Sequence, residues 1–359
     1  MMKLDHGLKL WWGTVTQWKK VHAFESCLNI VAGAANVAFL GPTLCRNQIF
    51  LRRLKDHATS VLSGGIIINV MRVPLKHMVG LVVRIVCRFY CNRVLQTCIP
   101  LVQHRLEKTM EWRDGVAPDW MPPADGLQWM IEEAMSKNDP VELDAQRLSE
   151  RLLFLNDVSM HTSAFTLQAL VQNLATSDPS RGYMETLRHE AKDVLGEANG
   201  QWTREAVPKP FSIFGLPRTV IDPNGLSVNS HGCGYFIPTG SIVALPVEHA
   251  HYDEKLYQDA RSFQPFRFVH SEGTSTTKSF STASRLKKTS VFAFGHGKYR
   301  CPGRFFVTHE IKLMMANILL NYEIEPLKSP KQSSDVMWLK LPLNGLTLNF
   351  RRRTSCEEN

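Results

Sequence analysis

Sixteen residues near the C-terminal end constrain the rest of the chain: Val291-Phe-Ala-Phe-Gly-His-Gly-Lys-Tyr-Arg-Cys-Pro-Gly-Arg-Phe-Phe306. An apolar run leads into Gly295 and Gly297, which permit backbone conformations closed to other residues and let a flat ligand approach closely. Cys301 follows, and then Pro302, a residue suited to the first turn of a helix. Beyond it Phe306, Ile311, Met314, Met315, Ile318 and Leu319 recur at helical spacing. The cysteine therefore stands just ahead of a helix N-terminus. The positive end of that helix, with Lys298, Arg300 and Arg304, suits a thiolate, the form of sulfur that binds soft metals. A packing cysteine beside a Gly-rich turn would need only the sulfur; glycines, sulfur and helix start together fit a metal ligand.

The residues Phe294-x-x-Gly297-x-x-x-Cys301-x-Gly303 resemble the haem-binding loop of the cytochrome P-450 family, and Cys-Pro-Gly-Arg-Phe-Phe is similar to its fungal members. The resemblance implies haem b with Cys301 as the axial thiolate on iron, a ligand that favours O–O cleavage. Phe294, Gly297 and Gly303 would shape the loop around the cofactor. Two residues before the cysteine, where the family commonly carries His or Arg towards a haem propionate, stands Tyr299.

The 359 residues, 44% hydrophobic and 21% charged, are enough for a large folded core. A net charge of +9 would suit an anionic membrane surface or an acidic partner, while a basic solvated surface is the expected reading for most of those charges. Without zinc-finger spacing or a long Lys/Arg block with interleaved aromatics, nucleic acid is not expected as a partner. Eight scattered cysteines form no compact disulfide framework, which favours a reducing compartment.

The N-terminus lacks the apolar core of a secretory signal. Ala58 to Met71, 14 residues without charge, falls short of the roughly 20 that span a bilayer. From Arg72 through Arg93 an apolar stretch is studded with Lys76, Arg84 and Arg88, which suits a helix lying on a membrane surface; a core helix with a basic outer face would have the same composition.

Residues from Leu8 to Lys55 read as helices with an apolar stripe. The segment Phe39-Leu-Gly-Pro-Thr-Leu-Cys-Arg-Asn47 resembles the part of fungal family members that follows an early haem-contacting helix. By that resemblance the membrane anchor, first strands and early helices are expected to be absent from this chain. Asp114 to Asp125 reads as a loop. A helix is expected from about Leu143 to Thr176, stopped by Asp178-Pro179. Within it Ser159-Met-His-Thr-Ser163 is a polar cluster on an otherwise apolar helix, and buried polar groups need partners. It resembles the family's oxygen-activating helix, which implies Thr162 as the hydroxyl for bound oxygen and His161 as the proton carrier. A packed His with Thr and Ser bonding back to preceding carbonyls is the competing reading.

Glu185-x-x-Arg188 fits the family's Glu-x-x-Arg formula but sits in a segment resembling the preceding helix, so an ordinary surface pair is expected. The true Glu-x-x-Arg helix is expected to be missing near Pro208-Lys-Pro210. After Phe211 strands are expected at Pro217–Val220 and Gly240–Ala244. There Arg218 matches an arginine that contacts a propionate, and Arg267 matches the partner of the Glu-x-x-Arg pair. His249 and His251 are expected on opposite faces of a strand. Ser271 to Ser290 reads as a surface loop, and Arg351 onward as a charged end after a last strand.

Together these features imply a mainly α fold with a small β-sheet (α+β), a single cytochrome P-450-like domain over 1–359, incomplete at its N-terminus. The activity that the family resemblance implies is haem-thiolate monooxygenation of an apolar small molecule, in fungal secondary metabolism of a terpenoid-like kind, using O2 and an NADPH-dependent flavin reductase. The implied location is the cytosolic face of the endoplasmic reticulum membrane, although no transmembrane anchor is expected in this chain. A non-catalytic haem-binding remnant of the family is the alternative.

Overall fold

The computed structural model describes residues 2–14, 16–41, 44–137, 140–197, 215–230, 232–255, 257–266, 293–328, 334–336, 339–341 and 345–354. Arg267, the 271–290 segment and the region around Pro208-Lys-Pro210 lie outside these. The chain divides into two compact units, Met1–Gln168 with Leu313–Glu325 and Gly345–Asn359, and Ala169–Lys312 with Pro326–Asn344.

The first unit opens with helix α1 (Met2–Trp12), strand β1 (Lys19–His22), and helices α2 (Ala23–Leu40), α3 (Gln48–Val70), α4 (Val73–Arg113), α5 (Gly126–Ser136) and α6 (Ala145–Thr176). The expected all-helical start is corrected at residues 19–22. There Lys19 to His22 pair antiparallel with Phe350 to Thr347 of β9 (Thr347–Arg352), which also pairs with β6 (Tyr322–Ile324). Only pairing with a strand more than 300 residues away makes those four residues a strand. Trp12 lies under this sheet, stacked on Phe350 at 4.0 Å and edge-on to Tyr322, whose hydroxyl donates to the Gly13 carbonyl at 3.0 Å. Arg351 and Arg352, expected in a tail, are the last residues of β9.

Helix α2 has the length and hydropathy of a membrane span, alone among the described helices, but 61% of it is buried. That is the pattern of a core helix. Its Asn36 amide donates to Asn156 of α6 at 2.8 Å inside the core. Helices α3 and α4 form an antiparallel hairpin in which Gly64 meets Val83. A Cβ on Gly64 would stand 2.4 Å from a Val83 methyl, so the close approach needs glycine. Asp125, 2% exposed, caps α5 through the Gln128 N–H (2.9 Å) and accepts from Arg105 Nη1 at 3.0 and 3.1 Å. One carboxylate thus fastens the start of α5 to α4. Helix α6 matches the expected span, with Leu148, Leu152, Met160, Leu167, Leu170 and Leu174 buried.

The second unit contains the end of α6, α7 (Tyr183–Glu197), β2 (Gly215–Thr219), β3 (Leu226–Ser230), β4 (Cys233–Ile237), β5 (Ile242–Leu245), α8 (Val247–His251) and the start of α9 (Arg304–Asn321); β7 (Ser334–Val336) and β8 (Leu339–Leu341) form a further hairpin. Strand β2 pairs antiparallel with β5, placing Arg218 opposite Val243, and β3 pairs with β4. His249 and His251 lie on helix α8, not on a strand as expected. Pro246 and the short run behind it turn the chain before pairing can continue. The Glu185–Arg188 contact forms, but it is no ordinary surface pair: Arg188 is 3% exposed while the Glu185 side chain is 73% exposed. Helix α7 also reaches the 253–266 segment, where Tyr183 meets Phe263 and Phe266 edge-on.

Candidate functional site

The sulfur-bearing loop is held by its own backbone. Gly295 and Gly297 have φ of +73° and +68°, in the left-handed region that glycine occupies without strain. A 3₁₀ turn over Gly297–Tyr299 follows, and the Arg300 N–H donates to the Gly297 carbonyl at 3.2 Å. The chain doubles back so that the Cys301 N–H donates to the Phe294 carbonyl at 2.8 Å. Phe294, expected as a loop-shaping residue, therefore acts through its carbonyl. The Arg304 guanidinium donates to the Cys301 carbonyl at 2.9 Å and lies over the Phe305 ring. Helix α9 starts at Arg304, two residues beyond Pro302, so the sulfur precedes a helix N-terminus as the spacing implies.

Beside the half-buried sulfur the loop leaves room. A Cβ on Gly303 would lie 3.9 Å from Cys301 Sγ, and one on Gly297 would meet nothing within 4 Å. One sulfur, small residues around it, and basic side chains on either side make a donor set that fits haem, whose iron takes the thiolate and whose propionates take cations.

Sequence spacing does not reveal the partner of Tyr299. The Arg218 guanidinium, brought in on β2, stands 4.6 Å from the Tyr299 ring centroid, and Lys298 Nζ stands 5.6 Å from it. Arg218 also donates to the Pro217 carbonyl at 2.8 Å. Arg218 and Tyr299 are 81 positions apart in sequence. Only the antiparallel pairing of β2 with β5 and the return of the sulfur loop bring them together. The signal present in the sequence was the aromatic residue standing where the resemblance calls for a cation.

In the first unit, His161 and Thr162 stand on different faces of α6. His161 is buried; its Nε2 lies 3.3 Å from the Thr59 hydroxyl on α3, and its ring is beside Phe24 and Phe165. Burial pushes its pKa down, opposed by the negative charge of Asp157. Asp157 itself pairs with His57 Nδ1 at 3.0 Å. Thr162 is exposed, and its hydroxyl donates back to the Val158 carbonyl at 2.9 Å. Phe154, Val158 and Thr162 follow one another at four-residue steps, and both apolar members are exposed. A hydroxyl thus sits on an open apolar face.

Among the described residues no group of three or more His, Cys, Asp or Glu side chains could hold a free metal ion. The family profile described as Cytochrome P450 matches residues 209–348, which include the sulfur loop and Arg218. Cytochrome P450 monooxygenase okaG of Penicillium ochrochloron is 35% identical over 98% of this chain and 72% of its own length. Cytochrome P450 monooxygenase gloP of Glarea lozoyensis is 30% identical over 98% of this chain and 69% of its own. Cytochrome P450 monooxygenase htyF of Aspergillus rugulosus is 32% identical over 95% of this chain and 53% of its own.

Proposed function

Because the chain belongs to the cytochrome P450 family and its relatives make it an oxidoreductase of the monooxygenase type, we propose that residues 1–359 act as one haem-thiolate domain that oxidises an apolar small molecule of fungal secondary metabolism, terpenoid-like in character. The observation that carries this reading is the sulfur loop, in which Cys301 is offered ahead of a helix N-terminus with open space at Gly297 and Gly303.

Haem, when bound, supplies the redox chemistry by which one oxygen atom of O2 enters the substrate and the other leaves as water. Cys301 ligates its iron. Phe294 holds the cysteine backbone, Gly297 and Gly303 keep the approach open, and Arg218, stacked on Tyr299, would hold a propionate. Thr162 offers a hydroxyl to oxygen from an apolar face fit for an apolar substrate. Burial lowers the His161 pKa, and a proton would pass by way of the Thr59 hydroxyl, 3.3 Å from its Nε2. Electrons come from an NADPH-dependent flavin reductase, whose acidic surface would meet Lys298, Arg300 and Arg304. We place this work on the cytosolic face of the endoplasmic reticulum membrane.

The test is the ferrous carbon monoxide spectrum of purified protein and of Cys301→Ala. A thiolate-type Soret band in the parent and its loss in the variant are expected. An unchanged spectrum in Cys301→Ala overturns the reading. Product formation with a reductase then separates a working monooxygenase from a haem-binding protein without turnover.

A further inference from the structure

Helix α6 is gripped by polar contacts from two neighbours. From α2 the Asn36 amide donates to Asn156 at 2.8 Å, and the Asn156 amide donates in turn to the Leu152 carbonyl at 3.0 Å. From α3 come two contacts one turn of α6 apart: His57 Nδ1 donates to the Asp157 carboxylate at 3.0 Å, and the Thr59 hydroxyl lies 3.3 Å from His161 Nε2. His57 is 5% exposed, and the Asp157 side chain 15%. Successive residues of a helix stand about 100° apart, so His57 and Thr59 flank Ala58, which is buried. A methyl between two polar arms lets α3 close on α6 and straddle it. The Ser60 hydroxyl, 2.7 Å from the His57 carbonyl and 3.7 Å from Cys87 Sγ, ties the same turn of α3 back to α4.

These contacts do what apolar packing does not. Met160, Ala164 and Leu167 bury α6, but burial is non-directional and sets depth better than rotation. A hydrogen bond needs a bearing as well as a distance, so the contacts at Asn156, Asp157 and His161 set how α6 is turned about its axis. Its open face, Phe154, Val158 and Thr162, turns with it. The contact at Asp157 is the one of the three that includes a carboxylate, and breaking such a contact costs more than losing a neutral hydrogen bond. The Asp157 charge also acts on His161, against the effect of burial, and on the Cys91 thiol of α4, where Glu150 and Arg88 act as well.

We propose that Asp157 is a positioning residue for the oxygen step: by anchoring His57 it fixes the rotation of α6, keeping Thr162 on the open face and His161 against Thr59. This rests on the roles given above to Thr162 and His161, and it names the pair that holds both in place.

The test reads the carbon–oxygen stretch of the ferrous carbon monoxide complex by infrared spectroscopy, in the full haem-loaded chain, because that band responds to polar groups beside the bound gas. Thr162→Ala sets the shift that follows loss of the hydroxyl. Asp157→Ala and His57→Ala should each shift or split the band in the same direction, and the double variant should go no further than either alone, since the two residues act as one contact. Asp157→Asn, which keeps an oxygen for His57 to donate to, should stay at the parent position. A parent band in Asp157→Ala overturns the proposal, as do single-variant shifts that add in the double variant, or an Asp157→Asn band displaced as far as that of Asp157→Ala. Should Asp157→Ala fail to load haem, His57→Ala, which leaves a carboxylate with some access to water, decides by the same band. A parent band in Thr162→Ala refutes the placement of that hydroxyl on oxygen alone. The anchor is then read from amide hydrogen exchange across residues 156–164, which Asp157→Ala and His57→Ala should accelerate alike; unchanged exchange overturns it.

Discussion

Replacing Arg218 by alanine should loosen haem without unfolding the protein. The guanidinium lies 4.6 Å over the Tyr299 ring, and at an exposed site such a contact contributes about 0.5–1 kcal/mol. If the same group also donates to a propionate, a charge-assisted hydrogen bond adds about 1.5–3 kcal/mol. Haem loss should therefore rise roughly 30- to several hundred-fold, since about 1.4 kcal/mol is a factor of ten. The assay is transfer of haem from the ferric protein to an excess of apomyoglobin, followed by the Soret change. Tyr299→Leu, which removes the ring but leaves Arg218, should accelerate transfer only about two- to fivefold, the share of the stack. Loading the parent and Arg218→Ala with haem dimethyl ester, whose carboxylates are blocked, should erase most of their difference. Parent-like haem loss by Arg218→Ala, or an undiminished difference with the ester, would refute the assignment of Arg218 to a propionate.

Asp125→Ala should destabilise the first unit by about 2–4 kcal/mol in urea unfolding, because it removes the α5 cap and leaves a mostly buried Arg105 unpaired; Asp125→Asn, which keeps the cap acceptor, should cost less. A loss below about 0.5 kcal/mol for the alanine variant would show that Arg105 finds water instead. The buried His161 has a lowered pKa, so below the ordinary histidine value near 6.5 the unfolded chain binds the extra proton more readily than the folded one. The stability this supports is present above that pH and is lost as pH falls through the folded pKa. Thermal unfolding across pH 5 to 8, a window set by that reference value, should show a shallower acid loss in His161→Gln than in the parent; parallel curves would mean that Asp157 and Thr59 offset the burial.

The sulfur loop is legible in the linear chain because everything that shapes it is local: two glycines with positive φ, a cysteine, and a helix that starts three residues later. The long helix carrying Thr162 was equally readable, since its apolar period and the Asp178-Pro179 stop are short-range signals. Local pattern could not decide which neighbour each face would meet. His161 and Thr162 are adjacent, yet the packing of α3 and α2 on one side of α6 buries the first and leaves the second on an open face. Residues 19–22 are a strand only because β9 returns beside them, and His249 to His251 leave the strand because the chain turns at Pro246.

By itself, then, the order of residues determined the chemistry on offer, a sulfur at a helix mouth and a hydroxyl on an apolar helix, because those depend on neighbours within a few turns. Tertiary structure decided the rest: that Arg218 lies against Tyr299, that Arg188 is buried, and that Val83 of α4 meets Gly64 of α3. The reason is physical. A side chain's exposure and its distant partners are set by which surfaces close over one another, and that depends on contacts between segments the linear order keeps far apart.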